Sequence, residues 1–316
     1  MFQREIFQKV KNEIEGRRAA ARALAEEHNL ELRSLSDEIA KIDAELTKTG
    51  LRLFRAACAG EDIAPIRERN LALQKKRTEL IVSLGFAPDY TEVHYTCKKC
   101  SDTGYAGIEM CSCMHEMLVL ENLKASGIGK LVERQSFENF DVERYRASGE
   151  ETYLRMKQNL ARALAFAENF TPAKGNLLLL GTTGTGKTHI STAIAKSVIE
   201  QGFSVLYDSA QNIVAAYEND RFHSGYGQSE PEANKFTECD LLIIDDLGTE
   251  FVNSFTVSCL YNLFNTRQNR GLSTIISTNL SPKELTTRYE DRIYSRIIGN
   301  DYKILQFVGE DYRLKR

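Results

Sequence analysis

The alternation of polar and apolar positions changes rhythm twice along this chain. In the first part, apolar side chains recur at steps of three and four. Leu32, Leu35, Ile39, Ile42, Leu46 and Leu53 form one row that only Thr49 breaks. A second row runs Ile63, Ile66, Asn70, Leu73, Arg77, Leu80 and Leu84, with Asn70 and Arg77 as polar interruptions. That spacing places the apolar residues on one side of a helix, as in a coiled-coil stripe. Between the rows lies ACAGEDIAP, where Gly60 and Pro65 break a helix. The pattern predicts two long helices folded back on each other over residues 1–87. Such a hairpin with a polar seam suits docking of another protein; the plainer alternative is a helical subdomain with no partner.

Past about residue 150 the texture is different. Short apolar runs, NLLLL (176–180), SVLY (204–207), LLII (241–244), STIIS (273–277) and KILQF (303–307), alternate with amphipathic stretches. Strands that alternate with helices imply a parallel sheet with crossover helices. Between the two textures lie a segment with Pro88, Gly104, Gly107 and clustered cysteines, over residues 88–118, and a connector over 119–149 that contains SFENFD. The expected organisation is therefore a helical region (1–87), a small cysteine-rich module (88–118), a connector (119–149) and an α/β domain (150–316).

Composition narrows the class. At 42% hydrophobic and 27% charged residues the chain is of ordinary globular make-up. A net charge of -3 excludes a globally basic nucleic-acid coat but leaves room for a local basic surface. No apolar run approaches the ~18–20 residues of a membrane span. The charged start, MFQREIFQKVKNEIEGRR, lacks a secretory pattern. The expectation is a cytoplasmic protein with no membrane partner.

The segment Gly181-Thr182-Thr183-Gly184-Thr185-Gly186-Lys187-Thr188 fits G-x-x-x-x-G-K-[ST] in full. An apolar strand precedes it, and an amphipathic helix with Ile190, Ile194 and Val198 follows. Strand, loop and helix in that order cradle phosphate with backbone N–H groups and a helix N-terminus. Lys187 is expected to neutralise the outer phosphates of ATP, and Thr188 to place its hydroxyl on Mg²⁺. His189 follows directly and is counted with Gly181–Thr188 among the nucleotide-binding residues. Some sixty residues on, the run Leu241–Ile244 ends in Asp245-Asp246. Asp245 would complete the Mg²⁺ shell and Asp246 would act as general base on water. Glutamate is the commoner residue at the second position, which points to modest hydrolysis, with Glu250 as a reserve base. Asn279, just past the apolar run STIIS, suits a polar group near the terminal phosphate. Arg292 and Arg296 share a helix face, and one of them is a candidate arginine finger reaching a neighbouring subunit.

Four of the seven cysteines, Cys97, Cys100, Cys111 and Cys113, fall close together. Cys-x-x-Cys followed by Cys-x-Cys, with Gly104 and Gly107 between, reads as a structural Zn²⁺ site. His94 and His115 flank it and could replace one thiol; a redox Cys-x-x-Cys lacks the expected βαβ context. Between Tyr207 and Lys235, Tyr217, Arg221, Phe222, His223 and Tyr226 mix aromatics and cations in a way that suits either single-stranded DNA or a plain mobile loop.

Taken together, GTTGTGKTH, LLIIDDLGTE, STNLS, RIYSRIIG, the upstream SFENFD and the YTCKKCSDTGY…CSC cluster resemble the bacterial helicase-loader ATPases of the DnaC/DnaI type. They also resemble the related IstB transposition ATPases. The resemblance spans about residues 90–316 and implies an AAA+ P-loop domain with a parallel sheet flanked by helices. By it, Asn279 matches the first sensor, Arg296 the arginine finger and Arg313 the second sensor, while Phe140 and Tyr145 lie where such proteins approach adenine. The cysteine cluster is closer to the loader type than to IstB. A loader would partner a hexameric replicative helicase and single-stranded DNA and would assemble with itself when ATP is bound. An IstB-like or phage helper would act on duplex DNA with a transposase, and a nucleotide-switched adaptor would turn over little ATP.

Overall fold

The computed structural model describes residues 3–223, 231–299 and 302–312. Its contacts divide the chain into two compact units. One is Lys9–Met114; the other is His115–Arg316 with Met1–Gln8. Among the described residues no helix is long and apolar enough to cross a membrane.

The first unit carries three helices where the apolar rows suggested two: α1 (Arg4–Leu35), α2 (Asp37–Ala59) and α3 (Ala64–Ser83). The row that starts at Leu32 and Leu35 crosses a break at Ser36, whose hydroxyl accepts the Ile39 N–H and caps α2. Leu32 and Ile39 are buried, whereas Leu35 faces solvent. Gly60, at a positive φ of 71°, ends α2, and Pro65 opens α3. The polar interruptions of the two rows meet partners across the hairpin. Asn70 donates to the buried Thr49 hydroxyl at 2.8 Å, and Arg77 donates to Asp43 at 2.6 Å, as well as to Thr91 and Asn29. A short hairpin, β1 (Tyr105–Ala106) with β2 (Glu109–Met110), follows and leads into α4 (Ser112–Ala125).

The second unit continues with α5 (Leu131–Arg134), a 3₁₀ turn over Glu143–Ser148, and α6 (Glu150–Ala167). Then strands and helices alternate: β3 (Asn176–Leu180), α7 (Lys187–Glu200), β4 (Val205–Ser209), α8 (Ala210–His223), α9 (Asn234–Glu238), β5 (Leu241–Leu247), α10 (Ser254–Asn269), β6 (Ser273–Thr278), α11 (Pro282–Ile298) and β7 (Tyr302–Gln306). All five long strands pair in parallel, in the order β4-β5-β6-β3-β7. Each falls on one of the apolar runs of the sequence. Alternate residues of a strand face opposite sides of a sheet. Accordingly Leu177, Leu179, Ile243, Ile275 and Leu305 enter one buried cluster with residues of α6 and α7. Leu178, Leu180, Leu242, Ile244 and Ile276 enter another with residues of α8, α10 and α11. Cover on both faces explains why the strands read as continuous apolar runs. This is the α/β P-loop architecture of the AAA+ type that the motifs led us to expect. The chain leaves β3 for the far edge of the sheet, so β3 sits between β6 and β7; such a reversal point opens a crevice at the carboxyl ends of the strands.

Candidate functional site

That crevice is a cavity of about 550 Å³, lined by Thr183, Gly184, Gly186, Lys187, Thr188, His189, Asp246 and Asn279, with Leu131, Gln135, Arg144 and Tyr312. Gly181–Thr188 wraps one end. At Gly181 a Cβ would fall 2.2 Å from the Phe307 carbonyl, and at Gly184, φ 77°, a Cβ would overlap the Asp311 carboxylate. The backbone approach at Gly181 leaves no room for a side chain, and the positive φ at Gly184 strains any other residue. The Lys187 ammonium is buried and donates to the carbonyls of Gly181 (2.6 Å) and Thr182 (2.8 Å) and to Oδ1 of Asn279 (2.6 Å). Thr185 turns inward, donating to the Thr182 carbonyl at 2.7 Å.

Asp245 lies behind Thr188, at the end of β5, and three hydroxyls reach its carboxylate. Thr188 is 3.4 Å and Tyr207 2.6 Å from Oδ2, while Ser277 donates to Oδ1. Tyr207 comes from β4 and Ser277 from β6, the two strands that flank β5. Burial, and then the Asp245 charge, push the Tyr207 phenol well above its ordinary pKa, so it is fixed as a donor. A hydroxyl and a carboxylate side by side are the hard oxygen donors that Mg²⁺ takes.

The pairing of β5 with β6 is irregular between Ile244 and Leu247. Asp246 there has a φ of 52°, rare for a residue with a Cβ. Its N–H donates to the Ser277 hydroxyl at 3.0 Å, and its carbonyl accepts from Thr249 N–H and Oγ1. The bulge turns the Asp246 side chain out of the strand alternation and into the cavity.

The structure corrects two expectations. Phe140 and Tyr145 do not face the cavity. Both are buried beneath the loop, where a Cβ on Gly186 would meet the Tyr145 hydroxyl at 2.7 Å, and that hydroxyl donates to the Thr185 carbonyl. The wall is instead Leu131, Gln135, Arg144 and Tyr312, which the sequence reading missed. Tyr312 packs edge-on against Tyr145, with the Arg144 guanidinium 5.5 Å from its ring. Glu250, the reserve base, does not line the cavity either; it is buried against Gly248 and Tyr289. Arg296 lies away from it on α11, donating to Gln268 at 2.6 Å and Tyr261 at 3.2 Å. Arg313 and Tyr226 lie outside the described residues, as do the side chains of Phe222 and His223.

In the other unit, the sulfurs of Cys97, Cys100, Cys111 and Cys113 all lie within 4.8 Å of one another. Neither His94 nor His115 belongs to that set. Asp102, buried, accepts the N–H groups of Thr96 and Cys97 at 2.8 Å each and shapes the turn between the first two thiols. Burial raises the Cys100 thiol, but the Gly104 N–H and the neighbouring thiols outweigh it and hold its pKa down to about 6. Four sulfurs this close are compatible with a cation held between them as thiolates, and tetrahedral thiolate sites suit Zn²⁺.

The fold and the phosphate loop define a nucleotide-binding protein of the P-loop class. Residues 121–316 match the family model described as IstB-like ATP binding protein, and the chain belongs to that family. It is similar to the replicative helicase loader DnaC of Escherichia coli (strain K12), 27% identical over 198 residues, which are 62% of this chain and 76% of that protein. It also matches the chromosomal replication initiator protein DnaA of Lactococcus lactis subsp. cremoris, 26% identical over 70% of this chain and 47% of the other. Among solved structures, the DnaI crystal structure aligns with a TM-score of 0.44 and 20% identity, over 58% of this chain and 94% of that one.

Proposed function

We propose that this chain is an ATP-hydrolysing replication protein that helps place a hexameric replicative helicase on single-stranded DNA. It would work in the cytoplasm and assemble with itself when ATP is bound. What carries this reading is the convergence of Lys187, Thr188, Asp246 and Asn279 on one cavity, in a chain similar to the DnaC loaders.

In this reading the backbone N–H groups of Gly181–Thr188 and the N-terminus of α7 hold the phosphates of ATP. Lys187 exchanges its carbonyl partners for phosphate oxygens. Thr188 and Asp245 hold Mg²⁺, which when bound neutralises phosphate charge. Asp246, aimed by the bulge, takes the proton of the attacking water, and Asn279 orients that water. Arg296, outside its own cavity, serves a neighbouring subunit's nucleotide. Arg313 would be the second sensor, and His189, which lines the cavity, joins the nucleotide-binding residues. The four cysteines hold Zn²⁺ in a structural role, because a site filled by four thiolates leaves no position for water.

The family model favours a second reading, an IstB-like helper of transposition acting on duplex DNA. Size-exclusion chromatography with light scattering separates the two. A complex with the host's replicative helicase, dependent on ATP and Mg²⁺ and lost on deleting residues 1–115, supports the loader. Absence of that complex, with ATP-dependent filaments on duplex DNA, supports the transposition helper.

A further inference from the structure

Glu250 is one of the few fully buried carboxylates of the described chain, and its environment is specific. Oε2 accepts the Gly248 N–H at 2.9 Å, and Oε1 accepts the Tyr289 hydroxyl. Its backbone carbonyl accepts from the Arg288 guanidinium at 2.6 Å. Tyr289 is itself fully buried on α11, the helix that carries Arg296. Gly248 has a φ of 110° and lies two residues past Asp246. The carboxylate therefore ties the turn Asp246–Thr249 to α11 by two hydrogen bonds, each made where water is excluded. A buried hydrogen bond to a charged group is worth more than a neutral one, and removing one partner leaves the other unsatisfied.

The Asp246 backbone needs such support. A left-handed conformation at a residue with a Cβ persists only where its surroundings hold it. Ser277 fixes the N–H of Asp246 and Thr249 fixes its carbonyl. Neither contact fixes the far side of the turn, which Glu250 and Tyr289 do.

We propose that Glu250 and Tyr289 are positioning residues for Asp246: together they clamp the turn after β5 so that the Asp246 carboxylate stays aimed at the terminal-phosphate end of the cavity. The clamp also joins the proton acceptor of one subunit's site to the helix that presents Arg296. The proposal rests on the reading of Asp246 as general base.

The test measures kcat, KM and ATP affinity of the full-length protein. Glu250→Ala and Tyr289→Phe are each expected to lower kcat about 10- to 100-fold, the range that a misplacement of about 1 Å produces, with ATP affinity held within about twofold. Glu250→Gln separates positioning from proton transfer. Its amide oxygen can still accept from Gly248, but its amide nitrogen meets the Tyr289 hydroxyl as a donor, so one of the two bonds survives and kcat is expected to fall between those of Glu250→Ala and the wild type. Three results would overturn the proposal: wild-type kcat in both Glu250→Ala and Tyr289→Phe, Glu250→Gln as inactive as Glu250→Ala, or ATP affinity falling in step with kcat. If Glu250→Ala does not fold, Tyr289→Phe, which loses a single hydroxyl, decides by the same criteria. Asp246→Asn is measured alongside. Full turnover in Asp246→Asn removes the underlying reading, whereas an inactive Asp246→Asn with an unimpaired Tyr289→Phe removes the clamp alone.

Discussion

Nζ of Lys187 and Oδ1 of Asn279 are joined by a 2.6 Å hydrogen bond, although 92 positions separate the two residues in the chain. The bond ties the start of α7 to the end of β6, and it puts the side-chain amide beside the ammonium proposed to meet phosphate. Asn279→Ala is expected to lower kcat about 10- to 100-fold, with ATP affinity changed only a few-fold, because orienting the attacking water matters in the transition state and little in the ground state. A parallel loss of affinity, measured by calorimetry, would instead make the residue a support for Lys187.

Tyr207 donates to the same oxygen of Asp245 that Thr188 approaches. Outer hydrogen bonds of this kind orient metal ligands, and losing one costs roughly 10- to 100-fold in metal affinity. Tyr207→Phe should therefore shift the Mg²⁺ dependence of ATP hydrolysis to higher concentration by about that factor. An unchanged Mg²⁺ titration would mean that Ser277 and Thr188 suffice to hold the carboxylate.

Arg296 stacks over the Tyr261 ring at 5.0 Å and donates to Gln268, a side chain held ready on a partly exposed surface. Arg296→Ala is expected to lower hydrolysis about 10³-fold and leave ATP binding intact. Specific activity of the wild-type protein should rise with its own concentration. ATP binding lost along with hydrolysis would sink the assignment.

The cysteine cluster predicts one zinc per chain by elemental analysis. Cys97→Ala or Cys111→Ala should lose it and lower the unfolding temperature of the helical unit, since binding energy at such a site is folding energy. Disulfides recovered in place of zinc from protein purified without reductant would favour the redox reading.

His189 gives a pH signature. Burial holds its pKa below the ordinary 6.5, and its Nε2–H donates to the Ser136 carbonyl at 2.8 Å. The unfolded chain takes up this proton more readily than the folded one. Stability should therefore fall as pH drops below about 6.5, then level off below the folded pKa. His189→Gln keeps a donor for Ser136 and removes the titration. The difference between the two unfolding free energies, followed by urea melts from pH 7 to 5, should show that slope; parallel curves would contradict it.

How much of this was legible depended on how local each feature is. The phosphate loop and β5 are continuous in sequence, so Gly181–Thr188 and Leu241–Asp246 declared both their structure and their place in the cavity. The polar–apolar rows located α2 and α3 but ran on into α1, because a row of leucines does not register a single capping serine such as Ser36. The hydroxyls around Asp245 come from three elements, and only the register β4-β5-β6 brings Tyr207 and Ser277 to it. The family resemblance alone places Phe140 and Tyr145 near adenine. Their burial goes with Gly186 above them, whose missing side chain lets the loop sit directly on the rings. Arg144 and Tyr312 lie 168 positions apart, and no local pattern joins them into a wall.

The helical hairpin carries one more implication. Thr49 with Asn70, and Asp43 with Arg77, form two polar rungs about two turns apart along the α2–α3 seam. A slide of one helical turn, ~5.4 Å, would set Asn70 and Arg77 against apolar neighbours. Each stranded group would then cost roughly 1–3 kcal/mol. An all-leucine seam would tolerate several alignments of nearly equal energy, whereas this one is keyed like a lock with two wards. Leu51, Phe54 and Leu71, which face solvent along the same two helices, are thus displayed in a single fixed alignment before anything touches them.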